Sequence, residues 1–133
     1  LPSFLNQANK AKQSEAKQYT SSINKGQQAY YAENGSFVTA DISNLNLGIR
    51  AETANYKYTV GGGDNGASSA AAPTSAALMG YAGAVGLVGA AGNKSTSSII
   101  CEEKVDADGA PESPTYDGTD DPTCHENQTI VTK

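Results

Sequence analysis

Two cysteines and a neighbouring histidine are the residues of this chain best suited to chemistry. Cys101 and Cys124 are the only cysteines, and His125, the only histidine, directly follows the second of them. A structural zinc site takes four ligands at regular spacing, so two thiolates and one adjacent imidazole make a poor set. A disulfide is the better interpretation of the pair, and it indicates an oxidising compartment. Closing a loop of this length would stabilise the fold by about 3 kcal/mol.

A short acidic motif is the second candidate for chemistry. Asp106-Ala-Asp108-Gly109 matches the first half of a calcium-binding EF-hand loop, and further aspartates follow from Asp117 onwards. Position twelve of such a loop falls on Asp117, where a bidentate glutamate is required, and no flanking helices are predicted. Calcium binding through Asp106, Asp108 and Asp117 is therefore a secondary hypothesis, and no other metal site is predicted.

No arrangement of residues in the sequence predicts an enzyme. With one histidine, the chain shows nothing like a Ser-His-Asp triad or an HExxH motif, and His125 is interpreted as a surface-loop residue. The run Gly61-Gly-Gly63 lacks the Gly-Lys-Ser/Thr ending of a phosphate-binding loop, and no helix is predicted after it. We therefore predict neither catalysis nor a cofactor.

Charge is divided unevenly along the chain. The net charge of −5 disfavours nucleic acid as a general electrostatic partner. Residues 1–34 hold four lysines against two glutamates, whereas residues 102–126 hold nine acidic residues and one lysine. Two interpretations stay open: both segments are solvated faces, or the basic helix and the acidic head attract each other between neighbouring subunits.

The N-terminal part of the chain is predicted to be one long helix. From Leu5 to Tyr30, residues in steps of three and four are small or apolar apart from Lys12, which predicts a helix over residues 1–34 with a narrow apolar stripe. Asn34-Gly35 is a good C-terminal stop, because glycine readily adopts the left-handed conformation. The helix would be about 45–50 Å long, against about 25–30 Å for a head of this size. It must therefore project from the head or continue into something else.

The remaining residues predict a small antiparallel sheet. Strands are predicted at residues 55–60, within 76–90 with a bend at its glycines, at 96–101, and as a short edge strand at 128–132. Residues 61–72 are predicted to be a flexible loop. Residues 36–53 are predicted to be an ordered connection held on the head by six apolar side chains: Phe37, Val38, Ile42, Leu45, Leu47 and Ile49.

These elements predict a single α+β domain. The helix, residues 1–34, is expected to pack on an antiparallel sheet of three to four strands. The contacts are expected to come from its last few turns, at Tyr19, Ile23, Tyr30 and Tyr31. The head, residues 35–133, divides into a connecting loop at 35–54, a sheet region at 55–101 and a disulfide-closed C-terminal loop at 101–124.

This order of parts resembles the type IV pilins, and it is most similar to the major pilins of cyanobacteria. The stretch LPSFLNQANKAKQSEAK, residues 1–17, carries most of the resemblance. In that family a very apolar segment precedes a Leu-Pro dipeptide in one continuous helix. Pro2 matches the position where the helix kinks or melts in the assembled fibre, as proline favours. Residues 55–60, 80–88 and 98–101 resemble the family's strands, and Cys101 and Cys124 resemble the paired cysteines of its C-terminal loop.

The resemblance implies a structural role. Pilin subunits polymerise by head-to-tail contacts that do not close, which generates a helical filament with bundled N-terminal helices as its core. Pro2, Phe4, Leu5 and Ala8 are the residues expected to pack in this core. The family's cleavage site, methylated phenylalanine, nearby acidic residue and membrane-spanning half-helix would all precede Leu1. The sequence is therefore expected to be a shortened form of a pilin.

The resemblance also implies partners and a location. The partners are further copies of the chain, minor pilins, the pilus assembly machinery and, through the absent N-terminal segment, the inner membrane before assembly. The location is a cell-surface pilus used for motility, adhesion, aggregation or DNA uptake, and nucleic acid is a partner only at the level of the pilus. Two alternatives stay open: a type II secretion pseudopilin or minor pilin of the same fold, and a secreted adhesin or carbohydrate-binding module.

Overall fold

A single long helix and one antiparallel sheet make up the described chain. The computed structural model describes residues 2–104 and 110–132. Helix α1 (Pro2–Asn34) and a 3-10 turn (Ile42–Leu45) precede five strands: β1 (Tyr56–Gly63), β2 (Gly66–Pro73), β3 (Tyr81–Val88), β4 (Ser95–Glu103) and β5 (Gln128–Thr132). The strands lie in the order in which they follow in the chain, and every neighbouring pair is antiparallel. The α+β class is confirmed, with five strands where the sequence predicts three to four.

Helix α1 has a projecting first half and a packed second half. From residue 4 onwards, Ala16 is the first buried residue of the helix, and the side chains of residues 4–15 are exposed or half-buried. Gln13 already accepts the N–H of Met79, so at about 1.5 Å per residue the projecting turns before it extend about 16 Å. The helix ends at Asn34, where Gly35 has a φ of 71° and donates its N–H to the carbonyl of Tyr31 at 2.8 Å. The predicted glycine stop is confirmed.

The additional strand is β2, and the prediction of a flexible loop at residues 61–72 is wrong. β1 and β2 form a hairpin whose last pair is Gly63 and Gly66, joined by the two-residue turn Asp64-Asn65. The residues of β2 have low strand propensity, since most are glycine, alanine or serine. Their small side chains let the sheet lie close under α1, because Ala67, Ser69 and Ala71 are buried there. Tertiary packing therefore outweighs the local preference.

The other strands differ from the prediction mainly in length. β3 occupies only the middle of the predicted segment 76–90, and Leu78, which precedes it, is buried as part of the core. β4 continues two residues beyond the predicted end, so Glu102 and Glu103 lie in the sheet rather than in the C-terminal loop. β5 forms at the predicted place and pairs with β4. The connection from residue 36 to residue 53 packs on the head through all six of its apolar side chains, which are buried or half-buried.

The two faces of the sheet carry different layers. One face packs against the second half of α1, and the main core cluster lies between them: Ala16, Ile23, Val38, Leu45, Tyr56, Tyr58, Ala71, Leu78 and Tyr81. The other face is covered by the C-terminal loop, whose Tyr116 and Cys124 pack against Ala84, Ile99 and Cys101. The disulfide between Cys101 and Cys124, with Cα atoms 5.8 Å apart, ties this loop to β4. The predicted disulfide is confirmed.

Candidate functional site

The projecting half of α1 carries an exposed apolar patch. Phe4 and Leu5 are 66% and 63% exposed, and Ala8 is also exposed. Residues three and four apart lie on the same side of a helix, so Ala8 adjoins both larger side chains. Pro2 is the first described residue of α1. Covering a side chain such as leucine or phenylalanine contributes about 1.5–3 kcal/mol, so this patch is suited to packing against a second apolar surface.

A half-buried carboxylate fastens α1 to the start of β1. The carboxylate of Glu15 accepts hydrogen bonds from the hydroxyls of Tyr58 at 2.6 Å and Thr53 at 2.9 Å, and from the amide of Asn55 at 3.2 Å. Hydrogen bonds to a charged group contribute about 1.5–3 kcal/mol each when they are shielded from water. Glu15 therefore fixes the point at which the helix leaves the head.

Three tyrosines of the core surround this attachment. Tyr56 donates its hydroxyl to the carbonyl of Met79 at 2.6 Å, and Tyr81 donates to the carboxylate of Glu102. Burial raises the pKa of the Tyr56, Tyr58 and Tyr81 hydroxyls above the usual value for tyrosine, and neighbouring carboxylates raise it further. These hydroxyls stay protonated near neutral pH, so the cluster acts as a structural junction.

A stripe of buried polar residues on α1 faces the sheet, and sequence reasoning missed it. Thr20, Asn24 and Gln27 are at most 5% exposed. Asn24 donates to the carbonyl of Ile99 at 3.1 Å, while Gln27 bonds both the carbonyl and the N–H of Val38, at 2.6 and 2.9 Å. Their spacing of four and three residues is helical, but a search for apolar periodicity passes over polar residues. The stripe fixes the rotation of α1 on the head.

A groove runs between α1 and the sheet edge formed by β4 and β5. Its walls are lined by Lys17, Lys25 and several serines of α1, and by side chains of the two strands, Ile100, Val131 and Thr132. Both lysines are exposed. Unlike the tyrosine junction, the groove is open to solvent and combines positive charge with apolar surface.

The acidic residues predicted as a calcium site are only partly described. Asp106 and Asp108 lie outside the described residues. Asp117 is exposed, and its carboxylate accepts the N–H groups of Asp120 at 2.8 Å and Thr119 at 2.9 Å, which lower the pKa of this carboxyl. Within residues 2–104 and 110–132, no three His, Cys, Asp or Glu side chains are grouped for metal binding. Calcium binding stays a prediction.

His125 lies at the surface end of the disulfide loop. Its Nδ1 is 2.9 Å from the carboxylate of Glu112, whose side chain is 54% exposed. Its backbone N–H donates to the side chain of Gln128 at 3.0 Å. The neighbouring Cys124 is bonded to Cys101 and has no free thiol. These contacts hold the end of the loop against β5.

Comparison with known proteins identifies one family. The family model of type IV pilin-like G and H proteins matches residues 13–125, from the second half of α1 to the end of the disulfide loop. Searches of curated proteins and of solved structures find no match. In the part of the chain that the structure describes, no helix combines the length and apolar character needed to cross a membrane. The match spans most of the chain and the whole of the sheet except β5, so the chain belongs to the type IV pilin-like G and H family.

Proposed function

We propose that the chain is the structural subunit of a type IV pilus and that it polymerises through the projecting half of α1. Membership of a pilin-like family indicates a pilin-type structural role. The observation that carries the proposal is the apolar patch of Phe4, Leu5 and Ala8 on a helix that has left the head. In a filament these side chains pack against the helices of neighbouring subunits.

The physical basis of this assembly is helix-on-helix burial. Ridges of side chains on one helix pack into the grooves of another, and each buried leucine or phenylalanine contributes about 1.5–3 kcal/mol. Repetition along the fibre adds these contributions, since every subunit makes the same contact with its neighbours. Within a longer helix, Pro2 would remove one backbone hydrogen bond and crowd the preceding turn, which would bend or melt the helix at that point.

The finer assignment is to a major pilin of the cyanobacterial type. Its support is the resemblance of residues 1–17, together with the Cys101–Cys124 loop, which favours a pilin over the major pseudopilins of type II secretion. On this proposal the mature filament lies on the cell surface, the subunit is held in the inner membrane before assembly, and minor pilins and the assembly machinery are its partners. Motility, adhesion, aggregation and DNA uptake are properties of the filament.

The test is a substitution that makes the apolar patch charged. Phe4→Glu/Leu5→Glu, expressed from the complete gene in the cells that make the protein, is expected to abolish the subunit in the sheared filament fraction. Because both side chains are exposed, the melting temperature of the purified 133-residue chain should be unchanged. Asn6→Glu is the matched control, since Asn6 is exposed on the opposite side of the same turns.

The outcomes separate the alternatives. Wild-type levels of filaments from the double variant would contradict assembly through this patch. If the wild-type chain is found only as a soluble secreted protein, the structural proposal fails and a secreted adhesin or carbohydrate-binding module becomes the better interpretation.

A further inference from the structure

The groove between α1 and the β4–β5 edge offers lysine ammonium groups that form no ion pair within the described residues. Among the described residues, no carboxylate lies within ion-pair distance of Lys17 or Lys25. Lys17 lies above the ring of Tyr81, with its ammonium 5.8 Å from the ring centre. Lys10, seven residues before Lys17, is exposed on the same side of α1. The lysines therefore form a row along one flank of the helix.

Exposed apolar surface adjoins these lysines. Val131, which lines the groove, is 37% exposed. Ile100 forms the floor. Partly apolar surfaces rimmed by charge are typical of sites where another protein docks. The groove thus has the composition of a contact surface, and its charge specifies an acidic occupant.

An acidic surface of matching kind lies on the C-terminal loop. Asp117, Asp120 and Asp121 are exposed around a shallow cleft whose other sides are Thr115, Tyr116 and Thr123. Lys94 reaches this loop, where it donates to the carbonyl of Gly118 rather than to a carboxylate. Within the described residues, no lysine or arginine pairs with any of the three aspartates.

The loop that carries these aspartates is held rigidly. Its two arms pair through reciprocal backbone hydrogen bonds between Thr115 and Thr123, at 2.8 and 2.9 Å. Tyr116 and Pro122 rest on Gly86 of β3, where a Cβ atom would lie only 3.2 and 3.1 Å from them. The disulfide to β4 closes the loop at its far end. The acidic surface is therefore presented in one fixed orientation.

The two charged surfaces lie on opposite faces of the same sheet. Gly83 of β3 faces Thr20 and Asn24 of α1, whereas Gly86, three residues on, faces the acidic loop. Layers stacked on a sheet lie about 10 Å from it, so helix and loop are about 20 Å apart with the sheet between them. This exceeds the screening length of about 8 Å at physiological ionic strength. The lysines and the aspartates of one subunit therefore cannot neutralise each other.

We propose that the acidic loop of one subunit, centred on Asp117, Asp120 and Asp121, docks into the lysine groove of the next subunit. Complementary patches that face in opposite directions make a heterologous contact, which repeats without closing and generates a fibre. The inference rests on the proposed pilin function and adds to it a head-to-head contact outside the helical core. Charge complementarity also favours this register between neighbouring heads.

Zero-length cross-linking of isolated filaments tests the contact directly. A carbodiimide joins a carboxylate to an amine only where the two are in contact. Filaments from cells moved from light to heavy-isotope medium, whose membranes then hold both kinds of subunit, are expected to give peptides that join Lys17 or Lys25 to Asp117, Asp120 or Asp121, with mixed isotopes proving that the link is between subunits. Filaments whose groove lysines link only to other residues, or to no carboxylate, would overturn the proposal.

Charge reversal gives an independent test with a rescue. Lys17→Glu/Lys25→Glu is expected to lower the sheared filament fraction about tenfold, the effect of losing two modest charge pairs at every contact. Asp120→Lys/Asp121→Lys should do the same, and the fourfold variant should restore filaments. Asp117 is left intact because its carboxylate holds the loop. Arg50→Glu/Lys57→Glu, which makes the same charge change at exposed residues outside the groove, is the control.

The outcomes distinguish this contact from the wider function. Each variant is first shown to melt as the wild type does, and Lys25→Glu alone, which leaves the contact of Lys17 with Tyr81 intact, should give a smaller loss. Filaments from the reversed variants at control levels, or a fourfold variant that recovers nothing, would overturn the docking contact while leaving the pilin function in place. A wild-type chain that forms no filament would instead remove the pilin function itself.

Discussion

At the scale of single residues, Gly83 decides how closely α1 lies on the sheet. A Cβ atom at this position would lie 2.7 Å from Thr20, 2.8 Å from the hydroxyl of Ser69 and 2.9 Å from the side-chain oxygen of Asn24. All three neighbours are buried, so none has room to move aside. The absence of a side chain at Gly83 is therefore what allows the polar stripe of the helix to reach the sheet.

Gly83→Ala is expected to destabilise the head by about 1–3 kcal/mol, because the added methyl overpacks the helix–sheet contact. Chemical denaturation of the purified chain, followed by circular dichroism, measures the change in unfolding free energy. Gly63→Ala is the control, since a Cβ there meets nothing within 4 Å and Gly63 does not have a positive φ. Its effect should stay within about 0.5 kcal/mol. Equal stability of the two variants would show that the interface yields more easily than its geometry indicates.

At the scale of elements, periodicity and stop signals carry much of the fold. The long helix, its end at Gly35 and a strand in each of the four predicted strand regions follow from local pattern. β2 could not be predicted from local pattern, because its residues have low strand propensity. They form a strand because their small side chains allow α1 to pack closely on the sheet. The same holds for Gln27, whose role depends on meeting the backbone of Val38 in space.

The candidate contact surfaces were predictable to different degrees. The exposed patch of Phe4 and Leu5 lies where the resemblance placed core packing, and the uneven division of charge was visible along the chain. The placement of the lysine groove and the acidic surface on opposite faces of the sheet was not predictable, because it depends on which face the C-terminal loop covers. That face is established by contacts in space: Tyr116 and Pro122 lie against Gly86, and Tyr116 and Cys124 pack against Ala84 and Ile99.

Reduction of the disulfide is expected to loosen one layer of the molecule. Cys101 and Cys124 are 23 residues apart, and a closed loop of that length stabilises by about 3–3.5 kcal/mol in the chain-entropy model. Cys101→Ala/Cys124→Ala should lower the unfolding free energy by a similar amount. Hydrogen exchange should quicken at residues 110–124 while the helix and β1–β3 stay protected. The wild type treated with a reductant is the companion measurement, and an unchanged denaturation midpoint after complete reduction would contradict this expectation.

At the scale of the whole molecule, the attachment of the helix to the sheet depends on one junction of tyrosines. Tyr58 and Tyr56 come from β1 and Tyr81 from β3, and their hydroxyls reach Glu15 on the helix, Met79 before β3 and Glu102 on β4. The ammonium of Lys17 lies over the Tyr81 ring. Ionisation of any of these hydroxyls would bring a negative charge into the core beside existing carboxylates. The helix, the sheet and Glu102 near the end of β4 would then lose their common attachment at the same time.

The molecule is therefore expected to unfold in alkali as these tyrosines ionise. Burial raises the pKa of all three in the folded state, whereas in the unfolded chain they ionise near the usual value of about 10. A raised folded pKa contributes stability that is complete below about pH 10 and is lost as the pH rises above it. The free energy of unfolding falls by about 1.4 kcal/mol per pH unit for each tyrosine, or by about 4 kcal/mol per pH unit for the three together.

Tyrosinate absorbance and far-ultraviolet circular dichroism, recorded in one alkaline titration, measure this coupling. Over the pH range in which the helical circular dichroism signal is lost, the rise in tyrosinate absorbance should correspond to ionisation of at least three of the seven tyrosines. Tyr58→Phe should reduce that step by one tyrosine, because Thr53 and Asn55 still hold the carboxylate of Glu15 and keep the junction assembled. Complete ionisation of all seven tyrosines with the helix signal intact would show that water reaches the junction without unfolding, and that the layers are not held together there.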